Sequence, residues 1–304
     1  GDGVHELNPD GKAGVYVIDN ATKGYNYSIT AQLRKRFDFG LSTGLAYTFM
    51  QAKSLLKSTE IASVLWQENP TQGNPNTPTL SYSEFGVRHR FIGNAAYSHR
   101  WNENFTSHFG LFFEVSEGNR FTGAGGNRYS FLYAGDVNGD GYNNDLIYIP
   151  RDQSEINFTS YEDESGNTVT AGEQWTALNA FIEQDDYLKE HRGEIAERFG
   201  AVNPWWWNID FRFMQDINFM TGGMKHTFQL SLDILNVPSL LGIGGVRKVA
   251  SSAATSPLEL IEFNSNGEPV FNFDTRLKET YIDDPGIFSR WQMQLGLRYF
   301  FSSL

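Results

Sequence analysis

From Arg290 to Phe301 the chain alternates with a period of two. Trp291, Met293, Leu295, Leu297, Tyr299 and Phe301 are apolar; Gln292, Gln294, Gly296 and Arg298 between them are polar or small, and only Phe300 departs from the pattern. Successive side chains of a β-strand point to opposite faces, so this stretch reads as a strand with one greasy face and one wet face. The pattern returns through Tyr27, Ile29, Ala31, Leu33 and Phe37, and through Phe39, Leu41, Leu45, Tyr47 and Phe49. It continues through Phe91, Gly93, Ala95, Tyr97 and Trp101, then Phe105, Phe109, Leu111, Phe113 and Val115. It closes with Trp205, Trp207, Ile209, Phe211, Phe213, Ile217 and Phe219, then Phe228, Leu230, Leu232 and Ile234. Strands are expected over 25–37, 39–51, 87–101, 105–117, 205–219, 224–236 and 289–301. A weaker candidate at 13–19, around Val15-Tyr16-Val17-Ile18, would make eight.

The connections carry a second signal. Short turns near Asp38, at Asn102-Glu103-Asn104 and at Thr221-Gly222-Gly223 alternate with long stretches over 53–85, 118–203 and 237–288. Outer-membrane barrels pair short periplasmic turns with long extracellular loops, whereas a soluble sandwich has no reason to sort loop length by end. The polar positions also carry charge, at Arg34, Arg36, Arg90, Arg100, Asp210, Arg212, Asp233 and Arg298. Such charges suit a wet lumen and are costly in a sandwich core. The expected fold class is all-β: an antiparallel transmembrane β-barrel in the outer membrane of a Gram-negative bacterium, with lipid against the apolar positions. Trp205, Trp207 and Trp291 then fall at the extracellular interface and Tyr299 and Phe301, on the closing strand, at the periplasmic one, where aromatic rings are favoured. About eight strands close a narrow, side-chain-filled tube. The size of the three loops points instead to a barrel of roughly 22 strands of which residues 1–304 are the last third.

Composition narrows this further. No run approaches 18 apolar residues, which excludes a membrane-spanning helix and leaves a barrel untouched. The absence of cysteine excludes a disulfide framework and a Cys-ligated metal. A net charge of −12 argues against nucleic acid as a partner. Gly1-Asp2-Gly3 opens with neither a basic nor an apolar region, so these residues are not expected to be a signal peptide, and the expectation is a mature chain or the back part of a longer one.

Several stretches also carry a resemblance: Leu45-Ala46-Tyr47-Thr48-Phe49; Tyr82-Ser83-Glu84-Phe85 followed by His89-Arg90-Phe91; Gly135-Asp136-Val137-Asn138-Gly139-Asp140-Gly141 leading to Asn144-Asp145-Leu146-Ile147-Tyr148-Ile149-Pro150; Asp233-Ile234-Leu235-Asn236-Val237; and the closing Leu297-Arg298-Tyr299-Phe300-Phe301. Together they resemble the C-terminal barrel half of TonB-dependent receptors of the Bacteroidetes type, the Oar-like and SusC-like group. The resemblance implies a plugged barrel that imports a large nutrient (a peptide, glycan or chelate) with TonB energy. Its implied partners are the rest of the barrel and its plug, the TonB complex, and a SusD-like surface lipoprotein. The plug domain and TonB box that precede the barrel in this family are not in this sequence. Ser302-Ser303-Leu304 also run past the terminal aromatic, where family members stop at or near it.

Among local motifs, Asp136-x-Asn138-x-Asp140-Gly141 places oxygen ligands at positions 1, 3 and 5 and glycine at 6, the opening of a calcium loop. Asn144 stands at position 9. Position 12 is Ile147, where a bidentate Glu belongs, so Asp145 would have to substitute. A structural Ca2+ and an Asn/Asp/Gly turn without metal both remain open. Inward-facing Trp206 and Arg212 are the candidate substrate or lumen contacts. A helical hairpin is expected over 173–199 from the stripe Trp175, Leu178, Ile182, Leu188, Ile195 and Phe199, either packing its apolar side on the barrel mouth or acting as a lid or substrate-contacting loop. The histidines His5, His89, His99, His108, His191 and His226 are scattered, and neither Gly-x-Ser-x-Gly nor His-Glu-x-x-His occurs. Transport without catalysis is therefore expected. The alternative is a small self-contained barrel acting as a protease or lipase through a Ser/His pair near the rim, or as a structural or adhesion protein.

Overall fold

The computed structural model describes residues 16–58, 60–84, 86–120 and 130–303. Seven long strands form one antiparallel sheet in chain order: β1 (Tyr25–Arg36), β2 (Leu41–Ser54), β3 (His89–Arg100), β4 (Phe105–Ser116), β5 (Trp206–Thr221), β6 (Met224–Leu235) and β7 (Gln292–Ser303). Their ends lie within a few residues of those expected, the usual scatter of strand termini. The two-residue strand Ser81–Tyr82 pairs with the far end of β2. β1 and β7 do not pair with each other, so the sheet is open. The turn from β5 to β6 holds Gly222 at φ 60° and Gly223 at φ 77°. Positive φ at both central residues gives the hairpin twist that matches the flanking strands, and glycine reaches it without strain.

The register explains the alternation. Leu41, Tyr97, Phe109, Phe213, Leu232 and Leu295 stand side by side across six strands. The next row, on the opposite face, is Ser42, Ala96, Gly110, Arg212, Asp233 and Gln294. Because the side-chain period is two, a one-residue slip in any strand would move its apolar set to the polar face. Gly93 stands in an apolar row for a steric reason: a Cβ there would lie 2.1 Å from the Phe113 ring, which covers the bare backbone. The match is not complete, since Phe112 and Met214 stand on the polar face.

The sheet has no core of its own. Among the described residues Ala46 is the one buried apolar residue of the seven strands, and Leu295 is 78% exposed. The core lies instead in the long connections, which fold together as a body at the loop end of the sheet. Phe131, Ile149, Leu178, Phe181, Ile182, Leu188, Leu258, Phe271 and Phe273 are all buried there. A small four-stranded sheet, in the order Tyr133–Ala134, Leu258–Phe263, Pro269–Phe273, Asn157–Phe158, packs in this body. It takes residues from both the 118–203 and the 237–288 connections, so the two share one core.

Among the described residues the α-helices are α1 (Ala62–Glu68), α2 (Ala171–Gln184), α3 (Asp186–Glu190) and α4 (Val237–Leu240), with a further helical turn at Ser252–Thr255. α2 begins with a capping box, Thr170 with Glu173, which satisfies two otherwise free N–H groups. The expected hairpin over 173–199 is corrected here. Trp175, Leu178, Ile182 and Leu188 lie on helices, but the helical run ends at Glu190. Asp185 interrupts it, accepting from the Tyr187 and Leu188 N–H groups as the cap of α3. Ile195 pairs as a bridge with Tyr148, and Phe199 sits at φ 53°, a left-handed position that no helix continues through. The expected strand at 13–19 is also corrected: residues 16–19 are not in a strand, and 13–15 lie outside the described residues. Tyr16 turns away to pack on the Trp66 ring, 5.5 Å between centroids.

The face assignment predicts an asymmetric response to charge. Leu111→Arg, mid-strand on the apolar face, should cost about 2–4 kcal/mol in a bilayer. It should sharply reduce the folded, heat-modifiable species on a gel, while Gln294→Arg, on the polar face beside Asp233, should leave it near wild type.

Candidate functional site

The polar face of the sheet carries several groups of paired polar side chains. Nearer the loop end, Arg90 donates to Glu114 at 2.6 Å and Asn208 to Asp210 at 2.9 Å, and Arg212 grips both carboxylate oxygens of Asp233. Toward the turn end, Ser98 Oγ is 2.8 Å from His108 Nδ1, and His108 Nε2 is 3.2 Å from Asp216 Oδ2. Gln229 donates to the other oxygen of Asp216 at 2.9 Å. Four neighbouring strands thus contribute one residue each. Ser98 and His108 are directly opposed, and Asp216 reaches diagonally from its place opposite Thr106. The reading of the histidines as isolated is corrected for His108.

Arginines fasten the body to the wall. Buried Arg198 donates to the carbonyls of Ser54 and Leu55 and, at 2.9 Å, to Asn69 Oδ1, and burial drives its pKa down to about 10. Arg120 donates to the carbonyls of Phe199, Gly200 and Ala201. Lys53 bridges to Glu197 at 2.9 Å. Arg247 lies 3.7 Å over the Trp206 ring. Both expected lumen contacts are therefore engaged within the chain, Arg212 by Asp233 and Trp206 by Arg247.

Gln174 is fully buried in the body. It donates to the Thr159 carbonyl at 2.6 Å and accepts from the Phe273 N–H at 3.0 Å, joining α2 to the small sheet.

The candidate calcium loop is a closed turn. Asp136 accepts from the N–H groups of Gly139, Asp140 and Gly141, and Asp145 Oδ2 from those of Val137 and Asn138. Asn138 Nδ2 donates to Asp145 Oδ1 at 2.6 Å, to the Gly73 carbonyl at 2.8 Å and to Asp140 Oδ2 at 3.4 Å. Three oxygens thus converge on one point. Asn144 is buried, its nitrogen held by the Trp66 and Asn69 carbonyls and its Oδ1 without a partner. Among the described residues no three of His, Cys, Asp or Glu are grouped to hold a metal. Burial, reinforced by Asp140 and Asp136, pushes the Asp145 carboxyl up to about 6 against the pull of its two backbone donors.

Aromatic rings gather at both ends of the apolar face. Trp205, Trp207 and Trp291 are exposed at the loop end. At the turn end Tyr299 packs between Phe228, at 4.9 Å, and Phe301, at 5.9 Å.

A family profile described as an outer membrane beta barrel domain matches residues 6–252. The chain belongs to this outer-membrane barrel family, and its place is the outer membrane. The match ends within the loop body, and β7 beyond it continues the same apolar and polar faces. No curated protein and no solved structure matches the chain.

Two predictions follow from the body and its loop. Arg198→Met removes the donor to the half-buried carbonyls of Ser54 and Leu55, worth about 1–3 kcal/mol each if left unpaired, while Asn69 keeps the Lys57 N–H. Hydrogen exchange over residues 186–203 should accelerate strongly, with the wall strands little changed. The Asp145 loop should respond to pH in an unusual direction. An acid whose pKa rises on folding, here from 3.8 to about 6, gives stability that is full below the lower value and lost as pH climbs through the higher. In calcium-free buffer, exchange over 136–145, corrected for intrinsic rates, should be slower at pH 5 than at pH 7.5, and Asp145→Asn should abolish the difference.

Proposed function

We propose that this chain is the C-terminal barrel portion of a TonB-dependent transporter that takes up a large nutrient, a peptide, glycan or chelate. The observation that carries the reading is the open sheet with its two unlike faces. An unpaired strand edge in hydrocarbon costs several kcal/mol per group. Further strands of the same receptor would pair β1 and β7, and a plug would meet the charged face. The size of the folded loop body, too large for a narrow tube, and the family-like stretches support the same reading. Its partners are outer-membrane lipid on the apolar face, the TonB complex, and a SusD-like lipoprotein above the loop body.

One observation favours the rival reading as a hydrolase: the Ser98–His108–Asp216 array. Its order is the reverse of the usual serine hydrolase, in which the nucleophile meets Nε2 and the carboxylate Nδ1. Ser98 also stands on a regular strand, not on the sharp turn that presents a nucleophile to oxyanion donors. In the transporter reading the array is part of the polar wall.

A structural calcium ion belongs to the proposal as well. Turning the Asn138 amide would present its oxygen beside those of Gly73, Asp140 and Asp145, an all-oxygen set that suits a hard cation, and two carboxylates give it a modest charge complement. Calorimetric titration of calcium at pH 7 should give a saturable heat that Asp145→Asn removes; no heat would set the ion aside.

The transporter reading is tested by growth. A strain lacking the gene for this chain, grown on panels of oligopeptides, glycans and metal chelates, should fail on at least one nutrient, and a strain lacking TonB should fail on the same one. No shared loss would overturn the proposal. A fluorophosphonate probe should leave Ser98 of the purified full-length protein unlabelled. Labelling lost in both Ser98→Ala and His108→Ala would establish the hydrolase instead.

A further inference from the structure

After β6 the chain passes through ten residues, Val237 to Val246, without a charge. Asn236, at φ 56°, starts this segment. Its Oδ1 caps α4 at the Ser239 N–H, and its amide donates to the carbonyls of Gly245, at 2.8 Å, and Phe288, at 3.2 Å. One side chain thus ties both ends of the segment into a closed loop.

The loop is mounted on a definite side of the wall. A Cβ on Gly244 would lie 2.6 Å from Trp207 Cζ2, so its backbone rests directly on that indole. Trp207 stands opposite Val115 in the apolar rows. Pro238 is buried as the inner fastening, while Leu241 is 62% and Ile243 64% exposed, with Val246 exposed beside them. The first charge, Arg247, turns the other way and covers Trp206 of the polar face. The uncharged segment is thus mounted at Gly244 on the apolar side of the wall, and the first charge after it covers the polar side.

A loop surrounded by water has no reason to be this apolar on its outward side. We propose that Val237–Val246 is a monotopic anchor, with Leu241, Ile243 and Val246 seated among the outer-leaflet lipids beside the tryptophan belt. The occupant is lipid because the loop rests on Trp207 of the lipid-facing wall and exposes Leu241, Ile243 and Val246 with no charge between 237 and 246. Interfacial segments of this kind sit roughly 5–10 Å into the headgroup and acyl boundary. Such an anchor would fix the depth of the wall and keep the loop body seated at one height. The inference rests on the outer-membrane placement and stands or falls apart from the transporter reading.

The test uses the full-length protein in liposomes of lipopolysaccharide and phospholipid. The 304 residues contain no cysteine, so Leu241→Cys, Ile243→Cys and the exposed body position Asn266→Cys each report one site. Each is labelled with an environment-sensitive fluorophore in a background free of other cysteines and checked for heat-modifiable mobility. Quenching by doxyl-labelled lipid should be several-fold stronger at 241 and 243 than at 266, with protection from aqueous iodide. Iodide quenching equal to that at 266 would place the loop in water and overturn the anchor. Protection from both quenchers would mean that protein, such as a second copy, covers it, and would overturn it equally. Hydroxyl-radical footprinting of the unsubstituted protein in the same liposomes reads the site without a label. Oxidation of Leu241 and Ile243 at the level of exposed Ile261 contradicts the proposal, and protection together with strong quenching by doxyl lipid supports it.

Discussion

In hydrocarbon, every backbone N–H and C=O must find its partner within the protein, because no water is there to replace it. An antiparallel sheet meets this demand along its ladders and leaves only its edges open. The rest of the architecture follows. Once the ladders are fixed, side chains must alternate, and in a barrel wall one face meets lipid while the other meets the lumen. The rows from Leu41 to Leu295 and from Ser42 to Gln294 are this requirement written across six strands. A wall that is one residue wide has no interior to bury, which is why the seven strands contain almost no buried apolar side chain.

The hydrophobic core has moved into the connections. There, water is available to polar groups, and the usual rules of a soluble domain apply: capped helices, a small sheet, and buried polar side chains with partners. Gln174 and Asp185 show how tightly the body is specified, each bridging segments about a hundred residues apart. The arginines at 120, 198 and 247 join the two regimes. Each carries a long apolar stem with a fork of donors, suited to carbonyls left over at a rim or to an aromatic face.

The wall was legible in the sequence because its period is two and its turns are short. Glycines 222 and 223, between two alternating runs, mark a hairpin with almost no other reading. The body was not legible. Its strands are two to six residues long and pair segments far apart, such as Tyr133 with Leu258, so no local period announces them. The Ser98–His108–Asp216 array was hidden for a similar reason: the last two are 108 residues apart and meet only through the register. The helical stripe was over-read, since Ile195 and Phe199 keep the spacing of a helix, but Asp185 and the left-handed Phe199 break it. Trp206 and Arg212 stand on the polar face of the sheet, and their partners Arg247 and Asp233 could not be assigned without the fold.

In this wall the odd-numbered positions of β4 face lipid and the even-numbered ones the lumen. Spin labels placed singly at each position from 105 to 116, in the full-length protein in bilayers, test it most directly. Collision rates with oxygen, which concentrates in lipid, and with a water-soluble nickel chelate should oscillate with a period of two and in opposite phase. Oxygen should be highest at 109, 111 and 113 and the chelate highest at 108, 110 and 112. Oscillation in the reverse phase, or none, would contradict the account.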